Sequence, residues 1–316
     1  MVFFTVIRES INLGTAFLFG STGETITEKS GHLNLGIPGI MCMGALGGCY
    51  GVSLYLKGMD PAAINGFALF IYAIFFAMLF AMATGAIYAF LTVALRCNQN
   101  VTGLTVTTFG VGCSKYFIKN VDTTNFNYAS ESLRKLFPFA SDMSEFGQIF
   151  FGHGALVYLS IIVALVTAFV FKKTRVGLHL RAIGENPAAA DAAGINVTKY
   201  KYCAILIGSA IAGLGGLFYI MDRLKGTWEY NVDAIGWLAV ALVIFTLWKP
   251  DLSILGSFFF GLLSVLSGYV SFLPTQILEL LPYVVTIVVL IITSVLDSKE
   301  NQPPAALGLA YFREER

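Results

Sequence analysis

Side chains able to do chemistry are few in this sequence, and they are dispersed. The three histidines, His32, His153 and His179, lie far apart. The five cysteines, Cys42, Cys49, Cys97, Cys113 and Cys203, form no Cys-x-x-Cys pair and sit in or beside apolar stretches, so they read as packed thiols. No Gly-x4-Gly-Lys-Ser/Thr loop is present to cradle nucleotide phosphates, and neither His-Glu-x-x-His nor Gly-x-Ser-x-Gly occurs. No intramembrane chain of carboxylates suggests a proton relay. The expectation is a protein with no catalytic residue, no metal and no cofactor, one that breaks no bond itself.

Two short segments nevertheless concentrate polar residues. The first is "GETITEKSGHLNLGIPGIMCMGALGG", residues 23–48, where Glu24, Glu28, Lys29 and His32 crowd a junction between apolar runs. Gly31, Gly36, Pro38 and Gly39 would break a helix there. Either this is a plain turn with its charges in water, or it is a broken membrane helix, tolerated only where backbone is buried in protein or faces a water-filled path. The second is "RAIGENPAAADAAGIN", residues 181–196. Asn186 suits an N-cap, Pro187 the first helical position and Gly194 the left-handed position that ends a helix. About two turns over 187–193 follow. A helix that short is marginal alone in water, so something must hold it. Its alanines would let it approach a groove on a partner closely; the alternative is a connecting loop packed on its own membrane domain.

The elements that must position these segments are membrane spans. Of 316 residues, 56% are hydrophobic and only 12% charged, where globular chains carry about 25%. Windows 66–95, 97–114, 146–171, 202–221 and 252–278 contain no Asp, Glu, Lys or Arg. Each is at or near the roughly 20 residues that cross about 30 Å of hydrocarbon. The first ten residues are too short an apolar run for a secretory signal. Net charge is +1, so nothing in the electrostatics suggests nucleic acid.

Orientation follows from positive charge, which favours the cytoplasm. Lys172, Lys173, Arg175, Arg181, Lys199 and Lys201 place the loop 172–201 inside; an acidic excess places 120–150 outside. Spans near 9–27, 34–56, 66–95, 103–119, 151–171, 202–221, 234–248, 252–272 and 278–296 then give nine crossings, within a range of eight to ten. The C-terminus falls inside and the N-terminus outside, although 9–56 could instead be one broken element. Arg223 and Lys225 fall outside, mildly against the bias. Residues 66–95 would extend roughly 45 Å, so a tilt or a break near Gly85 is expected. "SFLPTQ" (271–276) is read as the joint of a C-terminal hairpin and 299–316 as a flexible cytoplasmic tail, with 1–298 forming the membrane domain. Small residues at four-residue spacing (Ala77, Ala81, Gly85, Ala89; Gly208, Ala212, Gly216; Gly44, Gly48) predict closely approaching helices.

Residues 177–216 closely resemble the cytoplasmic loop and following span of permease subunits of ABC importers, in the branch for simple sugars, nucleosides and branched-chain amino acids. Arg181, Gly184, Glu185, Asn186, Pro187, Ala189, Asp191, Ala192, Ala193 and Gly194 lie on that motif. Asp191-Ala192-Ala193 stands where other importers have Glu-Ala-Ala, with Gly194 directly after it. Glu28, Lys29, Ser30, Gly31, Asn34, Leu35 and Gly36 match a second signature, and "NQNVTGLTVTTFG" (98–110) resembles a third. The likeness is greatest to the shorter of the two permeases of nucleoside importers; a simple-sugar permease is the alternative. The resemblance implies an all-α, polytopic, type II importer-like bundle in a bacterial inner membrane. It implies a second, non-identical permease, a separate ABC ATPase that grips 187–193 as a coupling helix, and an extracytoplasmic substrate-binding lipoprotein. Asn34, Thr105, Thr107, Thr108 and Phe109 are candidates for lining the path. An ion-driven secondary transporter, or a membrane enzyme or scaffold, would be the rivals.

Overall fold

The computed structural model describes residues 2–60, 63–134, 137, 139, 143–270, 274–296 and 302–312. The chain enters through α1 (Val2–Glu28), α2 (Ile37–Leu56) and α3 (Gly66–Ala89), which runs on into a π turn, Phe90–Ala94. There follow α4 (Gln99–Phe117), α5 (Phe126–Arg134), α6 (Glu145–Phe151), α7 (Ala155–Lys173), α8 (Arg175–Glu185) and α9 (Pro187–Ala192). The set closes with α10 (Val197–Phe218) and its π turn (Tyr219–Arg223), α11 (Val232–Phe245), α12 (Pro250–Leu266), α13 (Thr275–Glu279) and α14 (Leu281–Leu296). Many starts are written locally. Asn65, Asn98, Thr174 and Asn196 each accept a hydrogen bond from a first-turn amide of the helix they cap. Proline stands at an opening position of α2, α9 and α12.

Among the described residues, six helical stretches are long and apolar enough to cross a membrane: α1, α2, α3 with its π turn, α7, α10 with its π turn, and Thr275–Ile292. The other three expected crossings differ. α4 packs on α2 but does not number among the six. α11 and α12 have 14 and 17 residues, about 21 and 26 Å, short of the hydrocarbon thickness. A tight turn joins them, in which Leu247 and Trp248 take positive φ. The stretch 9–56 is resolved as two helices, separated by the irregular link 29–36.

α1, α2, α3 and α10 form the packed centre, and the small-residue lines explain why they can. Gly44 faces the backbone of Gly213, Gly216 faces the Met41 carbonyl, and Gly23 faces the Gly208 carbonyl, so a methyl group at any of these would overlap backbone. Gly85 abuts the Ser209 side chain, and the helix runs through it unbroken. Of the expected tilt or break there, no break occurs; the helix ends instead in the π turn Phe90–Ala94, four residues short of Asn98's cap, where Leu95 N–H bonds to Phe90 O at 3.0 Å. Outward faces are apolar, as lipid requires: Phe67, Ile71, Phe75 and Leu79 on α3, Ile287 and Ile291 on α14.

The two ends of the bundle are chemically distinct. At one, Arg8 donates to Gln148 Oε1 at 3.1 Å and Arg223 pairs with Glu9, so one of the two basic residues that ran against the charge bias is neutralised. At the other lie the basic loop and the C-terminal residues 302–312. Those residues are docked, contrary to the expected flexible tail. Ala306 N–H bonds to Gly184 O at 2.9 Å, Gly308 N–H to Gly31 O at 3.2 Å, and the Arg96 guanidinium lies 4.9 Å from the Phe312 ring centre. "SFLPTQ" lies partly outside the described residues. All five cysteines are free, but Cys97 and Cys203 are exposed rather than packed.

Candidate functional site

The short helix α9 is built from both ends inward. Asn186 Oδ1 accepts from Ala189 N–H at 3.0 Å. At the other end Gly194, at φ +85°, donates to Asp191 O at 2.9 Å while Ile195 N–H reaches Ala190 O at 3.0 Å. That double closure is a Schellman ending, and Ile195 packs in the same cluster as Ala190, the hydrophobic contact that accompanies it. Ala190, Ile183 and Val197 are buried together, with Tyr200 and Tyr311 against them. Tyr311 OH donates to Asp191 Oδ2 at 2.8 Å. The helix that could not stand alone is therefore held by α8, by the start of α10 and by the tail. Its other face is open: Glu185, Asn186, Ala189, Ala192, Ala193 and Gly194 are exposed, as is Arg181, with Pro187 half-buried. α8, which carries Arg181 and Glu185, is an amphipathic helix, with Leu180 and Ile183 buried and Arg175, Val176 and Leu178 exposed.

The junction 23–36 is not a turn in water. Glu24, Glu28, Ser30, His32 and Asn34 are all buried. The link rises inside the bundle: Gly36 and Gly39 lie against Val106 and Thr107, the middle of α4. Irregular backbone at that depth must find partners in protein, and it does. Leu33 N–H donates to Gln99 Oε1 at 2.8 Å and Leu33 O accepts from Tyr88 OH at 2.7 Å. Leu35 O accepts from Thr107 Oγ1 at 2.7 Å, and Asn34 N–H donates to Glu24 Oε1 at 3.1 Å. Glu28 takes the indole N–H of Trp248. Gly31 holds φ +84°, the left-handed turn that lets the chain leave α1, and Gly36 leaves room for the Asn34 side chain that bonds its amide. Burial pulls the Lys29 amine below its ordinary range, with Glu185 acting against that.

The path candidates divide. Thr105, Thr108 and Phe109 lie on one exposed face of α4, next to Val101, Leu104 and Gly112. Asn34 and Thr107 lie apart from that face, inside the chain, because their polar groups hold the link: Asn34 Oδ1 bonds Gly36 N–H and Thr107 bonds Leu35 O.

Sequence reasoning missed the bracing residues Tyr88, Gln99, Trp248 and Tyr311. Tyr88 carried the clearest signal, a hydroxyl-bearing ring in a charge-free run, which must find a partner when buried. Gln99 and Trp248 reach partners 66 and 220 residues away, and nothing local announces that.

Fold and site together define a multi-pass helical membrane protein that presents a capped, pre-seated helix at its basic end. The chain belongs to the family described as branched-chain amino acid transport system / permease component, whose model matches residues 6–290, and it is an ABC permease. Three relatives span nearly the same length. It is 30% identical to the nucleoside ABC transporter permease protein NupC of Lactococcus lactis over 90% of each chain. It is 27% identical to the guanosine ABC transporter permease protein NupQ of Bacillus subtilis over 98% of this chain and 97% of that one. It is 29% identical to the putative glucose ABC transporter permease protein TsgC13 of Haloferax volcanii over 98% of both.

Proposed function

We propose that this permease carries nucleosides inward across a bacterial cell membrane, driven by a separate ABC ATPase that docks on α9, and that it does so without enzymatic activity of its own. It works beside a second, non-identical permease, and an extracytoplasmic binding lipoprotein delivers the cargo. The observation that carries the coupling reading is the asymmetry of α9: one face fixed to the bundle by Ile183, Ala190 and Val197, the other free. A push on the free face therefore moves α8 and α10 rather than deforming a loose loop. The link 29–36 gives that motion somewhere to go, because Lys29 O lies against Gly184. Nucleotide-driven closure would thus bias the path between outward-open and inward-open states. Thr105, Thr108 and Phe109 offer the path a ring face and polar atoms on the open side of α4.

The nucleoside reading draws support from NupC and NupQ, and TsgC13 makes a simple sugar the second reading. Uptake of labelled guanosine, uridine and glucose into vesicles holding the whole assembly separates them: nucleoside uptake that needs ATP is expected, and glucose uptake alone would reverse the assignment. Ala189→Trp should abolish co-purification of the ATPase while the permease still inserts. Undiminished association would sink the coupling role.

A further inference from the structure

A cavity of about 620 Å³ lies at the basic end of the bundle, between α9 and the α1–α2 link. Asp191, Gly194, Ile195 and Asn196 form one wall, and His32, Thr92, Val93 and Arg96 the other. Its floor is the start of α10 (Val197, Thr198, Lys199), a 22-residue helix whose positive dipole end borders the space, its Lys199 amide capped by Asn196 Oδ1. Arg96, Lys199 and Lys201 border it, against one carboxylate, Asp191, which is already engaged by Tyr311 OH.

Two features go beyond a basic helix start. His32 is 2% exposed and lines the cavity, and its two ring nitrogens are enclosed in protein without a hydrogen-bond partner. A buried polar group left unpaired is costly, which marks this wall of the cavity as polar rather than packed for stability. Lys201, 3% exposed, is an amine withdrawn from bulk water and turned to the same space. Arg96 is steadied at the rim by the Phe312 ring.

We propose that this cavity binds a phosphate-bearing anion through Lys201, Arg96 and Lys199, beside the α10 N-terminus. A phosphoryl group brings up to two negative charges and three acceptor oxygens, which suits three cations and a helix start. The source is either a soluble phosphate monoester or the headgroup of an anionic lipid. Because its walls are the coupling segment on one side and the α1–α2 link on the other, the occupant bridges the two parts that must shift when α9 is pushed. The site is independent of which cargo the permease carries.

The test uses the full-length permease in nanodiscs of zwitterionic lipid, with AMP, adenosine and inorganic phosphate as calorimetric probes. A second arm uses native mass spectrometry after exposure to phosphatidylglycerol. Binding of AMP and phosphate but not adenosine, weakened at least about tenfold in Lys201→Met, supports the site with a soluble ligand. Retention of phosphatidylglycerol by the native chain but not by the variant supports it with a lipid ligand. Arg96→Gln, at an exposed position, serves as a second variant should Lys201→Met fold poorly, and weakening is expected there too. Equal binding of AMP and adenosine, binding unchanged in both variants, or no binding of any probe would overturn the proposal.

Discussion

Replacing Asn186 by alanine isolates how firmly α9 must be held to act as a docking element. The side chain makes one intrahelical bond, from Ala189 N–H to Oδ1 at 3.0 Å, and Asn186 is exposed, so nothing else is lost. Removing such a cap costs about 1 kcal/mol. The helix has six residues, and its inner face rests on one buried alanine. With so little holding it, the whole of that cost falls on local opening. At RT of about 0.6 kcal/mol, 1 kcal/mol raises the open population about fivefold. The backbone ending at Gly194 and the bond from Tyr311 to Asp191 remain, so the helix frays without detaching. Hydrogen exchange on the membrane-embedded complex should show amides 189–193 exchanging about fivefold faster, with the spans unchanged. ATPase association should weaken in proportion, and restoring a cap with Asn186→Asp should recover both. Faster exchange with full association would show that the partner does not read the helical state of α9. Lost association with unchanged exchange would mean that Asn186 is itself a contact, and the stiffness argument would fail.

Gln99→Leu should leave Leu33 N–H buried without a partner, costing about 1–3 kcal/mol and loosening both the link and the tail, since Gln99 Nε2 also donates to Leu309 O at 3.2 Å. Thermal unfolding in detergent and protease access to residues 302–312 measure the two effects, and an unchanged midpoint would remove Gln99 as a brace. Gly44→Val drives a branched side chain into Gly213 backbone and should cost more than the usual 1–3 kcal/mol of overpacking. Gly112→Ala, in open space on α4, should be neutral or slightly stabilising; the ratio of monodisperse to aggregated protein on size exclusion compares the pair.

What the sequence made legible was whatever is written within a few residues. The cap, proline and glycine of α9 stand beside one another, and the helix forms within one residue of the expected span. The four-residue spacing of small side chains states that helices approach, and α2, α3 and α10 do. The broken segment at 29–36 was also visible from Gly31, Gly36 and Pro38. Its burial was not: Glu24, Glu28 and Lys29 read equally well as charges in water, and only Trp248, Gln99 and Tyr88, brought in from elsewhere, decide the matter. Composition misjudged the tail for the same reason. "PPAALGLAY" has no periodic pattern, because it is pinned by backbone groups meeting Gly184 and Gly31 rather than by a face of its own. On α4 the residue types pointed to a path, but helical phase separates Thr105, Thr108 and Phe109 from Thr107.

The docking of residues 302–312 also sets an order of events during biosynthesis. Every described helix, α9 included, leaves the ribosome before Ala306, Gly308 and Tyr311 do, so the basic end of the bundle stays unfinished until those residues emerge. A nascent permease can insert into lipid with that end still open. Residues 302–312 then work as a clasp, and a chain cut before Ala306 inserts with its α9 and α1–α2 link not yet fastened together.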